Sequence, residues 1–358
     1  MSGILHGEGA NSVLHGAGNA TSNSLRLRTP DLQNALSRTR PCYIHVGTHK
    51  TGTTSIQAFL RDNEERFAAL GVLIPRAGRG QDAAGHHNLT QQLLGGGGFV
   101  AGRGGLDDVA DELRRSGQPS ACLSSEDFSL LSRSSESLAA VRDAVAAAGF
   151  TPTVIVYLRP QISYCVSIYA EIVKNGNLKP FEAYRNEIIE HGSFLWNSSL
   201  GPVCRYDVLL ERFARVFGER ALIVRRYRSG AAPNALLRSF ARTVLGSHAD
   251  LTSFRFPSEK FNPTSSFQNV LRRLSGNIEV MDMRFAPLDL SGMFELARPF
   301  YGSNLRVAQR YGVWVPPFEL TDFLLALPLR KTFARTASLA KARHALREFG
   351  RIGAPERG

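Results

Sequence analysis

The sequence predicts an α/β chain: a mostly parallel sheet flanked by helices, with a helical and irregular C-terminal extension. Three observations carry this expectation. Short apolar runs alternate with helically spaced segments between residues 42 and 226. The most regular run, 153–158, leads directly into a helical stretch over 161–174. Beyond residue 250 the apolar spacing turns helical and irregular, and a basic stretch begins at Arg330.

The elements follow in order. Residues 1–40 are rich in Gly, Ser, Asn and Arg without apolar periodicity, and read as a flexible tail. Residues 42–46 are a short buried strand, and 47–54 a Gly- and Thr-rich turn. Residues 55–70 have helical spacing, with Ile56, Phe59, Leu60 and Phe67 on one face and Gly71 as the stop. A short strand is expected at 72–74 and a short helix at 86–94. A loop follows through Gly95–Gly98, Gly102, Gly104 and Gly105. Helices at 106–115, 134–148, 206–217 and 234–245 and strands at 121–124 and 221–224 complete the alternation. One domain over 41–320 with a basic helical tail over 321–358 fits this pattern better than two independent domains.

Composition narrows the classes. The chain has 358 residues, enough for one large domain or two ordinary ones. At 43% hydrophobic and 21% charged residues it is neither collagen-like, coiled-coil nor wholly disordered. No apolar run approaches the ~18 residues a membrane span needs. Lys and Arg number 43 against 31 Asp and Glu, a formal charge of +12. Such a field favours anionic partners, among them phosphorylated cofactors, nucleic acid or a membrane surface. No nucleic-acid-binding motif accompanies it. The helix expected over 333–349 offers only a weak peripheral membrane contact through Arg335, Lys341, Arg343 and Arg347. Cys42, Cys122, Cys165 and Cys204 are far apart, without zinc-ligand spacing, and Cys42, Cys122 and Cys165, in or beside apolar runs, read as buried free thiols. The N-terminus has no basic start followed by an apolar stretch, so the expected location is the cytoplasm.

The motif that carries chemistry is Gly47-Thr48-His49-Lys50-Thr51-Gly52-Thr53-Thr54-Ser55, between a strand and a helix. Such a turn aims backbone N–H groups at an anion, and the helix N-terminus adds positive potential. Lys50 supplies a full charge, and Thr51, Thr53 and Thr54 supply hydroxyls. Gly47 and Gly52 have the Walker A separation, but Thr53 stands where that pattern has lysine. The lysine has moved into the loop, so the loop suits an anion other than a nucleoside triphosphate with its Mg²⁺.

This segment resembles the 5′-phosphosulfate-binding loop of sulfotransferases that use 3′-phosphoadenosine 5′-phosphosulfate (PAPS), in their bacterial form. A second match is Arg159 at a strand end with Ser167 eight residues on, which resembles that family's 3′-phosphate signature. Softer resemblances lie at His86-His87-Asn88-Leu89, Leu123-Ser124-Ser125-Glu126, the 205–218 segment, Tyr301-Gly302-Ser303-Asn304 and Tyr311-Gly312. The family's closing R-K-G signature is not clearly present; Glu259-Lys260-Phe261-Asn262 occupies that region.

The resemblance implies a P-loop-type fold and metal-independent, in-line transfer of a sulfuryl group from PAPS, leaving PAP. The acceptor is a hydroxyl or amine of a small molecule, glycan or lipid. His49, Lys50, Thr51, Gly52, Thr53, Thr54, Ser55, Arg159 and Ser167 are then the donor-binding residues, with Lys50 also catalytic. Glu126 and His87 stand level as the general base. His49 is a weaker candidate, and His45, within a strand, reads as a core histidine. Two other readings remain open here: a divergent nucleotide kinase with Asp127 near Mg²⁺, and a basic nucleic-acid binder.

Overall fold

The computed structural model describes residues 40–80, 85–95, 97–175, 181–196, 200–228, 231–258 and 290–319. The tail expected over 1–40 falls outside them except for Arg40. So do the segment 259–262 and the basic stretch over 321–358.

Five parallel strands form one sheet: β1 (Pro41–His45), β2 (Val72–Leu73), β3 (Ser120–Ser124), β4 (Thr151–Leu158) and β5 (Leu222–Arg226). Their spatial order is β2-β3-β1-β4-β5. The α/β class read from the sequence is the observed one. Among the described residues the α-helices are α1 (Thr53–Asp62), α2 (Glu64–Ala69), α3 (His87–Leu94), α4 (Leu106–Arg115), α5 (Ser135–Ala147), α6 (Gln161–Lys174), α7 (Phe181–His191), α8 (Tyr206–Phe217), α9 (Ala235–Leu245) and α10 (Leu290–Tyr311).

Strand periodicity sorts the side chains onto two faces. Cys42, Ile44, Val46, Leu123, Val154, Val156 and Leu158 point to one face and pack with α4, α5 and α8. Cys122, Ile155 and Tyr157 point to the other and pack with Ile56, Phe59 and Leu60 of α1 and Leu237, Phe240 and Val244 of α9. Fully burying each large apolar side chain contributes about 1.5–3 kcal/mol. A third core joins α6, α7 and α10 through Ile162, Tyr164, Ile168, Tyr184, Ile188, Met293, Leu296 and Phe300. A reciprocal amide pair, Gln161 with Asn304 at 2.8 Å in both directions, ties the start of α6 to α10. No helix among the described residues is long and apolar enough to cross a membrane.

The strand order locates a crevice. The chain leaves β1 through α1 towards β2 on one side of the sheet and leaves β4 through α6 towards β5 on the other. Where such connections diverge, the carboxyl ends of the two strands open a cleft between them. The Lys50 loop ends β1 and Arg159 ends β4, so both motifs stand at this point.

Several expectations are corrected. The single helix over 55–70 is two helices, α1 and α2, because Asn63 interrupts it. Its amide donates to the carbonyls of Phe59 and Arg255, each at 2.9 Å, and its Oδ1 accepts from the Arg255 amide at 2.7 Å. The strand expected at 72–74 is only Val72–Leu73, and that expected at 221–224 is shifted to Leu222–Arg226. A 3₁₀ segment, Glu126–Arg133, and the helix α7 were not anticipated.

Candidate active site

The loop after β1 at first runs on alongside β4. Val46 donates to the carbonyl of Ile155 and Thr48 to that of Tyr157, each at 3.0 Å, while Tyr157 donates to the carbonyl of Gly47 at 2.6 Å. Thr51, fully buried, closes the turn by donating to the Thr48 carbonyl at 2.5 Å. Lys50 sits in the left-handed region at φ 60°, which costs a residue with a side chain about 1–2 kcal/mol. Its carbonyl is held there by Arg159 Nη1 at 2.9 Å. Gly52, at φ 80°, precedes α1, and no side chain caps that helix. Of the hydroxyl residues that follow, Thr53 is buried, Ser55 half-buried and Thr54 exposed.

One face of α6 lines this loop. Arg159 is buried, and its Nε donates to Ser163 Oγ at 3.0 Å. Its own carbonyl accepts from Tyr206 Oη at 2.5 Å. Ser167, buried, lies one turn beyond Ser163, and Glu171 one turn further. Glu171 Oε2 lies 3.5 Å from Lys50 Nζ. Ser163 and Glu171 were missed in the sequence. The signal for them is the i, i+4 repeat from the residue Arg159 touches: 163, 167, 171.

The end of β3, on the other side of β1, carries the acid–base groups. Ser125 caps the 3₁₀ segment by accepting from the Asp127 amide at 3.3 Å. Glu126 Oε2 accepts from Gln57 Nε2 of α1 at 2.7 Å. His87, the first residue of α3, places Nδ1 2.9 Å from Asp127 Oδ2 and 3.1 Å from Ser125 Oγ. Its Nε2 lies 3.8 Å from Glu126 Oε2. His49, from the Lys50 loop, places Nε2 3.2 Å from the other Asp127 oxygen. Its ring and that of Trp196 meet in a T-shaped pair, with centroids 5.0 Å apart. His49, His87, Glu126 and Asp127 thus form one cluster, although His49 and His87 are far from the other two in the sequence.

Charge follows this geometry. Burial alone would raise the Asp127 carboxyl, but hydrogen bonds from His49 and His87 and their positive charge hold it well below the usual carboxylate range. Burial alone would lower His87, but the Asp127 hydrogen bond and the charges of Glu126 and Asp127 carry it above its ordinary value. The neighbouring His86 differs. It accepts from the Ser124 amide at Nδ1 (3.1 Å), so its Nε2 carries the proton to the Pro75 carbonyl (3.0 Å). Burial, with Arg79 adding to it, pushes this imidazole down to about 4. His45 lies in the core against Tyr157 and Phe240, pushed down to about 3 by burial. Among the described residues, no group of three or more His, Cys, Asp or Glu side chains is arranged to hold a metal ion. All four cysteines are buried free thiols.

No family model matches the chain, and no curated protein matches it. Among solved structures the chain is similar to the crystal structure of a sulfotransferase from Alicyclobacillus acidocaldarius. Identity is 16%, the alignment covers 76% of this chain and 96% of that one, and the TM-score is 0.43. No residue of the present chain takes a role from that likeness.

Proposed function

We propose that the chain is a sulfotransferase that moves a sulfuryl group from PAPS to a hydroxyl or amine acceptor. One observation carries the reading. The Lys50 loop and Arg159 meet at the carboxyl ends of the adjacent strands β1 and β4, while His87 and Glu126 converge at the end of β3 on the opposite side of β1. An anion cradle and a base therefore flank the same strand end.

The residues fit such a donor. The helix α1 begins without a side-chain cap, Gly52 supplies the left-handed turn before it, and Lys50 and Arg159 supply cationic partners. Residues 49–55 would hold the 5′-phosphosulfate, and Arg159 with Ser167 the 3′-phosphate. The donor supplies an activated sulfuryl group and leaves as PAP. The protein orients the donor, supplies charge through Lys50 and removes the acceptor's proton. Lys50 matters most where negative charge grows, so it stabilises the transition state more than the bound donor. His87 and Glu126 are the two candidates for taking the proton, supported by their meeting at the end of β3. The Walker lysine position is Thr53, and the Asp127 carboxylate is engaged by two histidines; both features disfavour an Mg²⁺-nucleotide site.

The test is single-turnover sulfuryl transfer from PAPS to a phenol or sugar acceptor. Wild-type protein should transfer, and Lys50→Ala should be slower by about 10²–10³, the scale for removing one preorganised donor. Full turnover in Lys50→Ala contradicts the reading.

A further inference from the structure

Two imidazoles from separate parts of the chain share one carboxylate: His49 of the Lys50 loop on Asp127 Oδ1 and His87 of α3 on Oδ2. We propose that Asp127 is a positioning residue, which fixes His87 with Nε2 presented as the base and ties that base to the donor-binding loop. This rests on the sulfotransferase reading for its reaction, though not for its geometry.

An ionised carboxylate only accepts hydrogen bonds, so the nitrogen facing Asp127 carries a proton. In neutral His87 that nitrogen is Nδ1, and Nε2 keeps its lone pair. A base held through its other nitrogen by a buried carboxylate is fixed in both tautomer and ring direction. Glu126, level with His87 as a base in the sequence, is engaged otherwise. Gln57 donates to its Oε2, and at 3.8 Å the same oxygen faces His87 Nε2. Its negative charge there stabilises the imidazolium that forms. In the transfer, the acceptor O–H bond breaks and its proton passes to His87 Nε2. The acceptor oxygen bonds to sulfur as the bond from sulfur to the donor's phosphate oxygen breaks, and that electron pair leaves on the phosphate oxygen.

Gly85 sits against the same edge of the ring: a Cβ there would lie 2.5 Å from His87 Nε2 and 2.9 Å from Gln57 Cδ. The charged and titratable groups facing His87 are Asp127 and Glu126 from the end of β3, His86 beside it in sequence, and His49 across Asp127. Replacing Asp127 by Asn removes one of the two negative charges that raise His87.

The decisive measurement is histidine ¹⁵N NMR on donor-free protein, followed through pH, beside pH–rate profiles. In wild-type protein, neutral His87 should carry its proton on Nδ1, and its titration should lie above the ordinary histidine value. In Asp127→Asn the titration should move down and the Nδ1–H preference should weaken. Turnover should fall by roughly 10²-fold, within the range for general-base catalysis, and the acid limb of kcat should shift to lower pH. Neutral wild-type His87 protonated on Nε2 overturns the proposal, even if Asp127→Asn does not fold. So does an Asp127→Asn protein with an unmoved His87 titration or full turnover. The expected NMR pattern in a protein that neither binds PAP nor transfers sulfuryl groups leaves Asp127's hold on His87 standing and overturns the sulfotransferase reading instead.

Discussion

The guanidinium of Arg159 donates from the end of β4 to the main-chain carbonyl of Lys50, 2.9 Å away, across the crevice between β4 and β1. One side chain thereby holds the lysine's left-handed backbone while standing where a 3′-phosphate contact is proposed. The two roles cannot be separated by truncation. Arg159→Ala should weaken binding of PAP and also of adenosine 5′-phosphosulfate, which lacks the 3′-phosphate. A hydrogen bond to a charged group contributes ~1.5–3 kcal/mol, or about 10- to 150-fold in affinity. Calorimetry with both ligands checks this. Unchanged adenosine 5′-phosphosulfate binding would show that the loop does not depend on Arg159.

Glu171 pairs with the lysine. Its carboxylate lies 3.5 Å from Lys50 Nζ, and both side chains are partly exposed. Such pairs contribute at most about 1 kcal/mol. Glu171→Gln should therefore tighten PAP binding by up to about fivefold, with the gain shrinking at high salt. Weaker binding would mean that Glu171 holds Lys50 in its working position.

Gly85 leaves room for the His87 ring. Gly85→Ala places a methyl group 2.5 Å from Nε2 unless the ring moves. Turnover should fall at least tenfold with PAP affinity retained, since the Lys50 loop is untouched. Equal losses in turnover and PAP affinity would place His87 in donor binding instead.

Buried His86 makes stability depend on pH. Its folded value of about 4 lies below the ordinary 6.5 it regains on unfolding. A lowered value means the stabilisation is present above pH 6.5 and is lost as pH falls towards 4, on the order of 3 kcal/mol. His45 acts in the same sense. His87, raised, has the opposite sign: its contribution is present at low pH and lost as pH rises through its folded value. Asp127, held low, loses its contribution only in stronger acid. Thermal melts should show Tm falling from pH 6.5 to 4. His86→Gln keeps an acceptor for the Ser124 amide and a donor to the Pro75 carbonyl, and should flatten that fall. An unchanged slope would assign it to other groups.

The sheet was legible in the sequence because its central strands bury Cys42, Ile44, Val46 and 154–158 and read as short, largely apolar runs, 42–46 and 153–158. The loop was legible because Gly47, Lys50 and Gly52 lie within one short turn. The break at Asn63 was not, because its partner is Arg255, 192 residues away. The pairing of His49 with His87 was equally hidden. Asp127, which joins them, is 78 residues from one and 40 from the other. Only the parallel register of β1 with β3 brings His45 opposite Ser124, and with them the two strand ends that carry His49 and Asp127. Glu171 shows no signal by type, only by its spacing from Ser163.

On the proposed reading, the Lys50 loop with Arg159 takes a phosphoadenosine ligand rather than a nucleoside triphosphate. Titration calorimetry with PAP in EDTA, beside ATP with Mg²⁺, separates the two. Micromolar or tighter PAP binding without divalent metal, with ATP·Mg²⁺ far weaker, is the predicted result. Tight, Mg²⁺-dependent ATP binding with no PAP binding would contradict it.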